Sequence, residues 1–158
     1  MPRVHFVKKA RKDNSLVKAG ESYYWWKFRY GGKRLSKTYP KQSKLTQSEF
    51  LSQLYELQEE IEDLVAEDGL ASVASDIAER VRTLGEEQTD KRDNMPDSLQ
   101  DSPTGELLQT RADKCEEIAS ELESLDLEDD GEERTEEEAE EYWQEKLDEL
   151  QAIDLECE

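Results

Sequence analysis

Nucleophilic and acid–base catalysis both require a nucleophile within reach of a proton-transfer group. His5 is the one histidine with which this chain can build such a pair. It falls in a basic run, RVHFVKK over residues 3–9, and reads as an ordinary strand residue. No GxSxG, Walker A, HExxH or GxGxxG spacing is present. Cys115 lies in a helical pattern and Cys157 is the penultimate residue. Neither has the CxxC or histidine companions that zinc demands, so both read as reduced thiols. Glu136-Glu137-Glu138 and the run Glu128-Asp129-Asp130-Gly131-Glu132-Glu133 offer oxygens of the kind Mg²⁺ and Ca²⁺ prefer. They lack the alternate ligand spacing and terminal bidentate Glu of a calcium loop, and read as solvated charge. The pattern points away from an enzyme and away from a metal or other cofactor.

A second chemistry has more residues behind it. Lys and Arg attract phosphates by a salt-sensitive Coulomb term, while planar side chains stack on exposed bases. Tyr23, Trp25, Lys27, Arg29 and Arg34 are spaced to do both from one face of a β-hairpin, and a ribbon of strands also fits the major groove of duplex DNA. The alternative for the same basic residues is that they bind the chain's own acidic helices.

The element that would position them is SYYWWKFRY, residues 22–30, turned by Gly31-Gly32 into KRLSKTY, residues 33–39. With those glycines as a two-residue turn, Tyr30 pairs with Lys33, Phe28 with Leu35, Trp26 with Lys37 and Tyr24 with Tyr39. Those residues share a mostly apolar face, with Tyr24, Trp26 and Phe28 as a miniature core. Tyr23, Trp25, Lys27, Arg29, Arg34, Ser36 and Thr38 share the other. Residues 3–9 add a third strand. Beyond Pro40, Thr46-Gln47-Ser48-Glu49 matches a capping box and predicts a helix with Phe50, Leu54, Leu57, Ile61 and Leu64 as its stripe.

Further amphipathic helices follow. Leu70, Val73, Ile77, Val81 and Leu84 outline one that ends at Gly85, before a polar loop over residues 86–101. Ser102-Pro103 opens another, with Leu108, Ala112, Cys115, Ile118, Leu122 and Leu125 inward. An acidic joint over residues 126–134 precedes a second capping box, Thr135 to Glu138, and a last helix with Ala139, Trp143, Leu147, Leu150 and Ile153 inward. The fold class this predicts is α+β: a small three-stranded antiparallel sheet with a helix, then acidic amphipathic helices as a hairpin or loose bundle. The expected division is a basic aromatic module over residues 1–68 and an acidic helical region over residues 69–158.

The charge divides likewise. Residues 1–46 hold thirteen Lys and Arg against Asp13 and Glu21, a balance of +11. The remainder holds eight against 39 acids, a balance of −31, within a whole of −20. No run approaches the roughly 20 apolar residues of a membrane span, and the basic N-terminus lacks a signal peptide's apolar core. The expectation is a cytoplasmic protein without a membrane partner.

YYWWKFRYGGKRLSKTYP resembles the AP2-like, or arm-type, DNA-binding module of phage integrases, in which a three-stranded sheet precedes a helix. Trp26, Arg29, Gly32, Lys33, Arg34, Lys37 and Thr38 carry the resemblance, which covers roughly residues 3–66. It implies DNA contact through the sheet, with Arg29, Arg34 and Lys37 as the matching basic positions; the hairpin register above puts Lys37 on the opposite face from the other two. Nothing after residue 66 resembles a recombinase catalytic domain. The whole chain also resembles small phage proteins, for which the host cytoplasm is the expected setting.

The resulting expectation is a nucleic-acid-binding accessory or regulatory protein, with DNA favoured over RNA. Two alternatives stay open. Carboxylate-rich helices can imitate nucleic acid and engage a host protein, and heptad-like stripes of coiled-coil type can drive homo-oligomerisation.

Overall fold

The computed structural model describes residues 1–155 and Cys157. It is an α+β fold with a three-stranded antiparallel sheet in the order β1 (His5–Val7), β2 (Tyr23–Lys27), β3 (Lys33–Ser36). A short 3-10 helix (Gln42–Leu45) leads to α1 (Glu49–Glu62), then α2 (Leu70–Asp93), α3 (Asp97–Gln100), α4 (Pro103–Ser124) and α5 (Glu136–Gln151). Two compact units result, Met1–Glu56 and Leu57–Glu158, and the division falls inside α1 rather than at the Asp68-Gly69 break.

In the first unit, aromatic and β-branched residues suit β2 to a half-buried pleat. Trp26 and Phe28 bury against Leu45, with Val4 packed on them. The hairpin register differs from expectation. Trp25 pairs with Leu35, Trp26 with Arg34 and Lys27 with Lys33, so residues 28–32 form a five-residue loop instead of a Gly-Gly turn. Two contacts explain the longer loop. Phe28 leaves the strand to join the core, and the Gln47 Nε2 amide donates to the Tyr30 carbonyl at 2.8 Å. A shift of odd parity reassigns β3 side chains to the other face. The helix also starts later than the Thr46 box predicts: Ser48 Oγ accepts from Leu51 N at 3.4 Å and caps α1.

In the second unit, Ile77, Ala78 and Val81 of α2 and Ile118, Ala119 and Leu122 of α4 are all buried, the two helices running antiparallel. The expected stop at Gly85 and loop from residue 86 are corrected here, since α2 continues to Asp93. Gly85 marks a close crossing, not an end. A β-carbon there would lie 2.9 Å from Cys115 Cβ and 3.3 Å from the Ala112 carbonyl. The missing side chain lets the helices approach, and Gln88, one turn on, is buried. Arg82 ties the pair from outside, with two hydrogen bonds to Glu123 at 2.9 and 3.0 Å and one to Glu116 at 3.3 Å.

Ser102 caps α4 with Pro103 behind it, and the Thr135–Glu138 capping box forms in full. The acidic joint before α5 is folded around its one cation. Arg134 bonds Asp130 at 2.5 Å and lies over the Tyr142 ring at 4.0 Å, while the Tyr142 hydroxyl donates to the Glu128 carbonyl at 2.8 Å. The guanidinium holds the Asp130 carboxyl down at about 2, helped by the Glu132 amide.

Candidate nucleic-acid interface

Successive strand residues alternate faces, so the observed register fixes what each side of the sheet presents. His5 and Val7 of β1 oppose Trp25 and Tyr23 of β2; Leu35 and Lys33 of β3 oppose Trp25 and Lys27. These seven residues share one face. Phe6, Tyr24, Trp26, Arg34 and Ser36 share the other, where Trp26 enters the core. The face with Trp25 is thus the side turned away from the Trp26 cluster.

At its centre is Trp25. From β1 the His5 ring stacks on it with centroids 4.2 Å apart and planes 11° from parallel. From β3 the Lys33 ammonium stands 4.4 Å from the Trp25 centroid and 5.8 Å from that of Tyr23. Each contact is of the kind worth about 0.5–1 kcal/mol at an exposed site. Because the two partners come from strands on opposite sides of β2, the indole is held upright between them. It is a wall rather than an open platform for a base.

Beyond that wall the face is cationic. Lys27 and Lys33 are exposed and directly opposite each other at the end of the hairpin. Such like-charged pairs are mildly unfavourable in a sheet unless an anion joins them. The unit that carries them, Met1–Glu56, has thirteen Lys and Arg against four acids, a balance of +9; residues 57–158 hold eight against 37, a balance of −29.

The structure brings Tyr23, Trp25 and Lys27 together as expected and separates the other three expected residues from them. Arg29 lies in the loop after β2, its guanidinium 5.3 Å from the Tyr30 ring centroid. Arg34 moves to the opposite face, 5.0 Å from the Phe28 centroid, as a direct result of the shifted register. Lys37 is exposed just past the end of β3. His5 and Lys33 are the members that sequence reasoning left out of the site. The signal for Lys33 was its place next to the glycines, which the two-residue turn assigned to the apolar side.

A second concave surface lies in the same unit. A groove of about 450 Å³ runs between Lys27, Phe28 and Arg29 on one side and Leu45, Leu51 and Tyr55 on the other. Lys27 therefore borders both the open sheet face and this groove. Among the described residues no group of His, Cys, Asp and Glu is arranged to hold a metal ion, and no helix is long and apolar enough to cross a membrane.

No family model matches the chain, and no curated protein and no solved structure matches it.

Proposed function

We propose that this protein binds duplex DNA through the open face of its sheet and acts as an accessory or regulatory factor of phage or mobile-element type. The observation that carries the reading is the facing pair Lys27 and Lys33 beside a Trp25 held upright by His5 and Lys33. Two ammonium groups on one side of an aromatic ridge suit the phosphates flanking a groove. Arg29 and Lys37 lie at the margins of that face and add charge. Duplex is favoured over single strand because both sides of the Trp25 ring are occupied, whereas strand binding relies on free aromatic faces.

The net charge of −20 does not forbid this. At about 0.1 M salt charges are screened beyond about 10 Å, so a phosphate at the sheet responds to the basic unit around it. The acidic unit slows approach at low salt and suppresses nonspecific binding.

Fluorescence anisotropy of the full chain against a labelled duplex and a single strand of equal length tests the proposal. The duplex binds more tightly, and its log K falls linearly with log salt. No binding at low salt overturns the reading, and tighter binding to the single strand overturns its duplex part.

A second reading rests on α5. Glu136, Glu137, Glu138, Glu140, Glu141, Glu145, Asp148 and Glu149 are all exposed there, with Leu147 and Leu150 buried. Such a surface suits a basic host protein. Replacing these Glu residues by Gln abolishes that binding if the reading holds; retained binding contradicts it.

A further inference from the structure

The groove beside the sheet is assembled from three stretches of the first unit. Lys27 ends β2, and Phe28 and Arg29 open the loop that follows; Leu45 ends the 3-10 helix; Leu51 and Tyr55, four residues apart, share one face of α1. Burial of Phe28 and Leu45 with Trp26 gives the groove an apolar floor. The bond from Gln47 Nε2 to the Tyr30 carbonyl at 2.8 Å ties the loop to the segment that leads into α1, so the groove is preformed. Its charge is one-sided. None of the described residues that line it is acidic, and Lys27 and Arg29 are both exposed. Among the described residues neither cation is in an ion pair, the Arg29 guanidinium lying only against the Tyr30 ring, and the Tyr55 hydroxyl makes no hydrogen bond.

We propose that this groove binds a small amphipathic carboxylate, an aromatic or branched aliphatic body with one anionic end, and that its occupant competes with DNA for Lys27. The ligand class follows from the lining. Two cations without an acid call for an anion, and the planar fork of Arg29 with the Lys27 ammonium matches the two oxygens of a carboxylate. Phe28, Leu45 and Leu51 call for an apolar body whose burial releases water. A volume of about 450 Å³ belongs with small-molecule sites and not with the broad surfaces on which proteins dock.

Lys27 links this site to the sheet. It borders the groove and also stands opposite Lys33 on the open face. An ammonium engaged by a carboxylate no longer offers its full charge to a phosphate, so the ligand lowers DNA affinity, and DNA lowers ligand affinity by the same factor. This regulatory part rests on the sheet interface proposed above; ligand binding does not.

Cinnamate is the probe and cinnamamide its neutral counterpart, titrated into the folded full chain at matched ionic strength and followed by amide and indole NMR. Cinnamate binds at one saturable site and shifts the resonances of Lys27, Phe28, Arg29, Leu51 and Tyr55. It also shifts the indole of Trp26, whose buried N–H has no acceptor among the described residues. Cinnamamide binds about 10-fold more weakly, as does cinnamate to Arg29→Gln. Absence of saturation, equal binding of acid and amide, or shifts confined to other residues overturns the ligand site, and the wild-type comparison of the two compounds decides it without any variant. In anisotropy titrations saturating cinnamate lowers the slope of log K against log salt by about 0.9, one phosphate contact, and cinnamamide leaves it unchanged. Cinnamate binding with an unaltered duplex slope overturns the competition for Lys27. Cinnamate binding by a chain that holds no duplex at low salt overturns the sheet interface and supports the groove.

Discussion

Replacing Lys27 and Lys33 together with alanine removes the facing pair from the proposed interface, and the consequence for DNA binding can be worked in advance. Each phosphate neutralised by a lysine contributes about 0.9 to the slope of log K against log salt, so two contacts contribute about 1.8. Between about 50 and 200 mM salt, that difference makes the wild-type affinity fall about 12-fold more than the variant's. The fold tolerates the change. The contact of Lys33 with Trp25, worth about 0.5–1 kcal/mol, is lost, and relief of the repulsion between facing ammonium groups offsets part of it. Anisotropy titrations at four or more salt concentrations, with circular dichroism as the folding control, give the slopes. Arg34→Ala is the internal comparison, because its side chain belongs to the opposite face; it leaves the slope unchanged. A double variant that keeps the wild-type slope, or an Arg34→Ala variant that lowers it as much, excludes Lys27 and Lys33 as the phosphate contacts.

Three predictions concern the scaffold. Gly105→Ala destabilises the second unit by about 3 kcal/mol, since its β-carbon would meet the Gln100 carbonyl oxygen at 2.0 Å. Gly32→Ala, whose added β-carbon would meet nothing within 4 Å among the described residues beyond its chain neighbours, stays within about 0.5 kcal/mol of wild type; equal urea midpoints for the two variants would overturn both expectations. Thr135→Ala removes the α5 cap and costs about 1 kcal/mol, read as a lower melting temperature; an unchanged value contradicts the cap's role. Asp130 titrates at about 2, below its ordinary value, so its bond to Arg134 favours folding above the normal carboxylate range and that contribution fades as pH falls through about 2. Carboxyl NMR shifts measure it: Arg134→Gln moves the midpoint up, and an Asp130 already titrating normally in wild type disproves the clasp.

Signals complete within a few residues were legible in the sequence. The Thr135–Glu138 box needs a hydroxyl and a carboxylate three positions apart, and Ser102-Pro103 needs only a cap and a fixed φ; both form as read. The α+β class followed from a change of hydrophobic period after Pro40. What failed depended on distant partners. Gly31-Gly32 has the chemistry of a tight turn, but burial of Phe28 beside Trp26 and the bond from Gln47 favour a longer loop, and the resulting shift exchanges Arg34 for Lys33 on the open face. Gly85 has the chemistry of a helix stop, yet the approach of α4 to that point keeps α2 going.

Mapping of backbone amide and indole NMR shifts in the full chain as a duplex oligonucleotide is added tests whether DNA meets the open face of the sheet. Contact through that face perturbs resonances that cluster at His5, Tyr23, Trp25, Lys27 and Lys33, with Arg29 and Lys37 at the margin. Shifts centred on Phe6, Tyr24, Arg34 and Ser36, or confined to residues 57–158, would contradict it.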